Sequence, residues 1–356
     1  MQRHGGLRTD ELRAFGLDPG AMTDFSASVN PYGPSPRVRE ALSRLDLSRY
    51  PDPDSLALTE EIARRHGVPP DHVLAGNGAS ELIHLIVRLF VRGGQQAIAF
   101  TPTFGDFERA CQIAGASIYP WRANPDRDFR WTLRNKAQVL RRVLPPLVYL
   151  CNPNNPTGVY LDETEVRSVA DGLIGGPMLL DEAYVNFVDD HWDATPLTRR
   201  GRVILLRSMT KDYGLAGLRL GYVVAHPDAI AAARRLQPEW SVSAAAQVAG
   251  LAALGDEEHL RQTLARLREA KAALVDSLIR HDFPVHAGAA NFLLVRTGTA
   301  TETRLALLPR GIAVRDCTSF GLPEQIRVGV RTPAENARLV DALVAVRQER
   351  RQEVRL

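Results

Sequence analysis

Lysine is scarce in this chain: of 44 basic residues, three are lysines and the rest arginines. One of the three, Lys211, lies in "SMTKDYGLAGLRLGY" (208–222), just past an apolar run and beside a serine and several glycines. Arginine keeps its charge at any working pH, whereas lysine can shed a proton and attack a carbonyl carbon. That contrast marks Lys211 as a candidate nucleophile. Lys136, in "RNKAQ", and Lys271, in "EAKAA", stand in no such context and read as exposed helix residues.

Three other motifs follow apolar runs elsewhere along the chain. "LAGNGASELI" (74–83) reads as a strand, a glycine-rich turn and a helix starting near Ser80, whose free N–H groups suit a phosphate; a plain turn fits it as well. "CNPNNPTGVY" (151–160) fixes a rigid loop with carboxamides at its tip, and one X–Pro bond in it is a candidate for cis. "LLDEAYVNF" (179–187) sets Asp181 at a strand end with Tyr184 three residues on; a carboxylate there needs a partner, a ligand or a structural cation. Ser208 and Lys211 also make a Ser-x-x-Lys pair, but the second Lys-Thr-Gly element of serine-nucleophile enzymes is missing.

These residues need a scaffold to bring them together. Apolar runs at 97–100, 146–151, 177–180, 202–206 and 220–225 alternate with helical patterns such as "ELIHLIVRLF" and "DETEVRSVADGL". Asp162 and Glu165 have the spacing of a helix-capping pair. The alternation predicts an α/β fold with a central, mostly parallel sheet flanked by helices, and ligands bind such sheets beyond the carboxyl ends of the strands. After the amphipathic stretch 259–281, the short strands "NFLLV", "GIAV" and "QIRVGV" indicate a smaller α+β domain. The expected division is an N-terminal arm over 1–45 packing on the small domain, a large domain over 46–255, and a connecting helix with the small domain over 256–356.

Composition excludes other classes. The net charge of +3 is small, "RQERRQEVRL" reads as a solvated helix end, and no basic stripe with a nucleic-acid module is present. No apolar run reaches membrane-spanning length and the start carries no signal region. Cys111, Cys151 and Cys317 form no CxxC pair, which points to reduced thiols in a cytoplasmic protein and to no metal site.

A phosphate cradle, a carboxamide, a carboxylate, a phenol and a lysine, in this order along the chain, are what pyridoxal 5'-phosphate requires. At these residues the chain resembles the fold-type I pyridoxal-phosphate enzymes of the class I/II aminotransferase branch. The resemblance implies that Lys211 carries the cofactor, Asp181 pairs with its ring nitrogen, and Asn155 and Tyr184 hold its ring oxygen. Gly78, Ala79, Ser80, Ser208 and Arg219 would bind its phosphate, and Phe104 would stack on its ring. Tyr50 would reach the phosphate of a neighbouring subunit, implying a homodimer with shared active sites.

Both chain ends narrow the resemblance. "HGGLRTDELRAFGL…DFSASVNPYGPSP" and "GIAVRDCTSFGLPEQIRVGVRTPAEN" are similar to the threonine-phosphate decarboxylases of cobalamin biosynthesis. "GNGAS" is closer to the aminotransferase form, and Leu7 follows His-Gly-Gly where that family commonly has a polar residue. By this likeness Arg327 takes the substrate carboxylate, Arg315 and His4 face its phosphate, and Asn30 and Asn155 complete the pocket; Arg331 reads as structural. The implied reaction is decarboxylation of L-threonine O-3-phosphate to (R)-1-amino-2-propanol O-2-phosphate. The alternative is a histidinol-phosphate or related aminotransferase, because the cofactor residues serve both outcomes. A non-catalytic regulator on this fold would need a DNA-binding module ahead of it, for which the first 45 residues are too few.

Overall fold

The computed structural model describes residues 5–133 and 136–353. His4 and the last three residues of the C-terminal basic run lie outside the described residues. The chain forms two compact units, one of Gly33–Asn155 and Val159–Arg261, the other of Met1–Tyr32, Pro156–Gly158 and Gln262–Leu356. In chain order the described strands are β1 (Thr23–Asp24), β2 (Val73–Gly76), β3 (Gln96–Thr101), β4 (Ser117–Arg122), β5 (Val148–Cys151), β6 (Met178–Asp181) and β7 (Val203–Ser208). They continue with β8 (Gly221–Val224), β9 (Val285–His286), β10 (Phe292–Arg296), β11 (Ile312–Ala313), β12 (Arg315–Asp316) and β13 (Gln325–Gly329).

The larger unit holds a seven-stranded sheet in the order β2-β8-β7-β6-β5-β3-β4. Strands β3 to β7 are parallel, and β3, β5, β6 and β7 have the unbroken apolar runs expected of strands covered on both faces. The segment "LGYVVA" departs from that pattern: β8 is antiparallel to β7 and β2, because only a 3-10 turn, Ala216–Leu218, separates it from β7 and a parallel crossover normally takes a helix. Strand β4 was not anticipated; it is a half-exposed edge strand interrupted by Pro120, so it lacks the apolar run of a central strand.

The helix Gly78–Phe90 lays Leu82, Ile83, Leu85 and Ile86 on the sheet face formed by Leu74, Tyr149, Leu179, Ile204, Leu206 and Val223. It begins at Gly78, two residues before the expected start, because Gly78 at φ +80° turns the chain directly out of β2. The helix Glu163–Asp171 has the predicted capping box: Glu165 N donates to Asp162 Oδ1 at 2.8 Å and Asp162 N to Glu165 Oε2 at 3.1 Å.

The smaller unit has an antiparallel sheet, β12-β13-β10-β9, and a separate parallel pair of β1 with β11. Its core gathers Phe25, Leu274, Leu278, Leu293, Ile326, Val328, Leu339 and Leu343. This is the α+β architecture expected for the smaller domain. Lys271 is not an idle surface residue: its Nζ donates to Gly288 O and, at 2.8 Å, to Ala290 O. Among the described residues, no helix is long and apolar enough to cross a membrane.

One titration should be measurable in the larger unit. His66 Nδ1 meets Thr195 Oγ1 at 2.9 Å and its Nε2 meets Tyr222 Oη at 3.1 Å. Burial, then the charge of Arg207, push this imidazole down to about 4. A depressed folded value means that the unfolded chain takes up the proton first as pH falls. The contribution is therefore whole above pH 6.5 and is lost between about 6.5 and 4, about 1–3 kcal/mol allowing for partial exposure. Denaturant midpoints at pH 7 and 4.5 should show this drop in the native chain and a smaller one in His66→Gln.

Candidate active site

Strand β6 ends at Asp181, level with Cys151 of β5 and Leu206 of β7. The carboxylate is 2% exposed; Tyr149 Oη donates to its Oδ2 at 2.6 Å and Ala183 N to its Oδ1 at 3.0 Å. Burial raises its pKa, against the pull of these two hydrogen bonds and of the Lys211 charge. So Asp181 and Lys211 share one electrostatic field, and the buried acid still lacks enough positive charge to ionise at its ordinary value. A protonated ring nitrogen would supply it. Tyr149 escaped notice in the sequence, although a phenol inside the fully buried run "VYLC" had to find a polar partner. Tyr184 is buried next to the 3-10 turn Val185–Phe187.

A second cluster forms where β7 and β8 meet the start of the helix Gly78–Phe90. Ser208 pairs in register with Gly221, and a Cβ on Gly221 would lie 2.8 Å from Ala79 N. A Cβ on Gly78 would lie 2.7 Å from Arg219 Nη2. The hydroxyls of Ser208 and Thr210 are 2.8 Å apart. Helix start, hydroxyl pair and guanidinium therefore converge on one small volume, a donor set matched to a phosphate monoester. Gly221 and Thr210 carry no motif signal, since only their neighbours reveal their use. Gly221→Ala should force the cradle apart, weakening cofactor affinity at least ~10-fold and stability by about 1–3 kcal/mol; equilibrium dialysis and thermal melting would check both.

The Asn-Pro loop is pinned by its own carboxamides. Asn152–Pro153 is cis, as is Thr101–Pro102. Asn152 Nδ2 donates to Leu161 O at 3.0 Å and accepts at Oδ1 from Leu161 N at 2.7 Å, while Asn154 Nδ2 donates to Pro102 O at 2.9 Å. Two of the loop's asparagines thus hold its shape, and Asn155 is buried beside them in sequence. Phe104 packs half-buried on the core under the sheet. Tyr50 is 81% exposed and stacks on Trp240 with ring centroids 4.8 Å apart.

The smaller unit carries the other candidates. Arg315 and Arg327 are register partners on β12 and β13, 8% and 4% exposed. Arg315 Nη2 donates to Ser319 Oγ at 2.8 Å, and Arg327 Nη2 to Ser26 O at 2.7 Å. Burial first, then the charge of Arg327, push the Arg315 guanidinium down to about 10. Two adjacent buried cations call for an anion. Arg315 also lines a cavity of about 430 Å³ together with Gly6, Arg8, Ser26, Arg304 and Ser319. Asn30 spends its carboxamide locally, donating to Thr263 Oγ1 at 2.9 Å and accepting from Tyr32 N at 3.1 Å. Arg331 binds Glu335 at 2.7 Å and Asp24 O at 3.1 Å, a structural use.

A sequence profile described as "Aminotransferase class I and II" matches residues 21–343. The histidinol-phosphate aminotransferase of Symbiobacterium thermophilum is 35% identical over 341 residues, covering 94% of this chain and 93% of that protein. The threonine-phosphate decarboxylase of Salmonella typhimurium is 35% identical over 352 residues, covering 96% and 95%. Among solved structures, histidinol-phosphate aminotransferase from Sinorhizobium meliloti in complex with pyridoxal-5'-phosphate superposes with a TM-score of 0.86 at 26% identity, covering 95% of this chain and 94% of that one.

Proposed function

Given that the chain belongs to the class I and II aminotransferases, we propose that it is a pyridoxal-phosphate enzyme that moves the amino group of a small phosphorylated substrate, histidinol phosphate, to a 2-oxo acid. The observation that carries the reading is the buried Asp181 with Lys211 in its field, next along the strand ends to the donor cradle at Ser208, Gly221 and Ala79. Its substrate follows the histidinol-phosphate aminotransferases of Symbiobacterium and Sinorhizobium.

When bound, the cofactor supplies an electron sink for the pair released as a bond at the substrate's α-carbon breaks. Asp181 holds a negative charge where the ring nitrogen is to stay protonated. The helix start at Gly78, Ala79 and Ser80, with Ser208 and Arg219, binds the phosphate; Asn155 and Tyr184 donate to the ring oxygen, and Phe104 covers the ring. Lys211 Nζ would be the point of attachment, and when free the Lys211 amine would move the proton at the substrate's α-carbon. Arg315 and Arg327 neutralise the substrate's phosphate, since one dianion balances two guanidiniums. Tyr50, exposed with its Trp240 stack, faces a second copy in a homodimer. Three free, buried cysteines suit a reducing cytoplasm.

Decarboxylation of L-threonine O-3-phosphate remains the second reading, and one observation favours it. Gly6, the last residue of the His-Gly-Gly motif, is seated on Ser26: its N donates to Ser26 Oγ at 2.7 Å, and Ser26 O is also the acceptor for Arg327. The test is product analysis with each substrate. Glutamate formed from 2-oxoglutarate and histidinol phosphate supports amino transfer. Carbon dioxide released from threonine phosphate without any oxo acid, and no glutamate from histidinol phosphate, overturns it in favour of the decarboxylase.

A further inference from the structure

Beneath the reaction groups the larger unit buries a second set of charges that the proposed chemistry does not use. Side chains alternate across a strand, so Arg207 points to the opposite sheet face from Leu206 and Ser208, and Glu182 to the opposite face from Asp181. Glu182 is 1% exposed, and its Oε2 lies 2.7 Å from Arg207 Nη2. The charge of Arg207 also acts on Asp212, which is 3% exposed. Asp212 Oδ2 accepts from Asn186 Nδ2, and its Oδ1 accepts from Tyr213 N at 3.0 Å. Arg207 thus pairs with the buried carboxylate of Glu182, and its charge reaches a second one, Asp212, that is tied to a carboxamide.

The chain positions give this cluster its meaning. Glu182 directly follows Asp181, Asp212 directly follows Lys211, Arg207 directly precedes Ser208, and Asn186 lies two residues beyond Tyr184. Each member lies within two residues of one assigned to the cofactor. Lys211 and Asp212 lie in the segment between β7 and β8 that has no regular strand or helix to fix it beyond a single 3-10 turn. Tethers from neighbouring elements must do so instead.

We propose that Arg207, Glu182, Asp212 and Asn186 form a positioning latch that sets Lys211 Nζ against Asp181, with Asp212 as its key positioning residue. This deepens the proposed function and rests on the role given there to Lys211. The Asn186–Asp212 bond joins the Lys211 segment to the turn after β6, and the Arg207–Glu182 pair locks β6 to β7 at the level of Asp181. The latch makes no contact with substrate; it acts through backbone position alone.

The test compares Asp212→Ala, Asp212→Asn and Asn186→Ala with the native chain, using labelling of lysines by an amine-reactive reagent across pH, read peptide by peptide. Labelling is done on cofactor-free protein, with Lys136 and Lys271 as internal references, so it does not depend on the assigned reaction. The latch predicts that Asp212→Ala and Asn186→Ala each lower the labelling midpoint of Lys211 by about one pH unit, because its cation loses Asp181 as neighbour. It predicts a 10- to 100-fold lower kcat with KM nearly unchanged, and no further loss in the double variant. Asp212→Asn removes the charge but keeps an acceptor for Asn186, so it should restore the midpoint and most of kcat. A lowered melting temperature in Asp212→Ala with an unmoved Lys211 midpoint would overturn the latch and leave a purely structural pair. A moved midpoint with no turnover on any amino substrate would uphold the latch and sink the functional reading instead.

Discussion

Lys211→Ala should lose the yellow colour of the holoenzyme, and its turnover should fall by ~10⁴-fold or more, equivalent to over 5 kcal/mol of transition-state stabilisation. Lys211→Arg should behave the same way. It keeps the positive charge near Asp181, but a guanidinium that stays protonated can neither attach the cofactor nor move a proton at the α-carbon. That pair of variants separates charge from nucleophilicity at one position. Lys136→Arg, in the helix Lys136–Val143, should leave absorbance and turnover unchanged, which would show that the effect is not a general cost of removing lysine. Absorbance spectra of the three purified variants, with turnover beside them, check the result.

Asp181→Asn gives the second largest loss. The substitution keeps the size of the side chain and one oxygen to accept from Ala183 N, while its NH2 replaces the acceptor of Tyr149 Oη, which must turn to accept instead, so the charge goes at the cost of one reversed hydrogen bond. Without that charge the ring nitrogen gives up its proton and the electron sink weakens, so kcat should fall ~10²–10³-fold. Folding stability should move the other way or not at all. Burial already raises the pKa of Asp181, so the ionised carboxylate is held at a cost in the cofactor-free protein, and a neutral amide escapes it. A fall in turnover with an unchanged or higher melting temperature is the expected pair of readings. A matched loss of both would assign Asp181 to structure.

The elements were legible in the sequence where their pattern has a single physical cause. The runs at 97–100, 146–151, 177–180 and 202–206 are central strands because only strands buried on both faces read as unbroken apolar stretches. The capping pair Asp162 and Glu165 was legible because it is local. Direction and edge were not: the reversal of β8 depends on what fits between Ser208 and Gly221, and β4 hides behind half-exposed side chains. In the site, Lys211 showed through its rarity and Asp181 through its place at a strand end. Tyr149, Gly221 and Asp212 did not, because each acts on a partner distant in sequence, and Thr210 did not, because a hydroxyl two residues past Ser208 carries no motif of its own. The choice of reaction is the least legible of all, since residues that grip the cofactor say nothing about which substrate bond is held in line to break.

The most direct test of the account is to load the protein with pyridoxal phosphate, reduce it with borohydride and map the modified peptide. The account predicts a single cofactor adduct, on Lys211 within "SMTKDYGLAGLR", with Lys136 and Lys271 unmodified. No adduct, or an adduct on either of the other lysines, would contradict it.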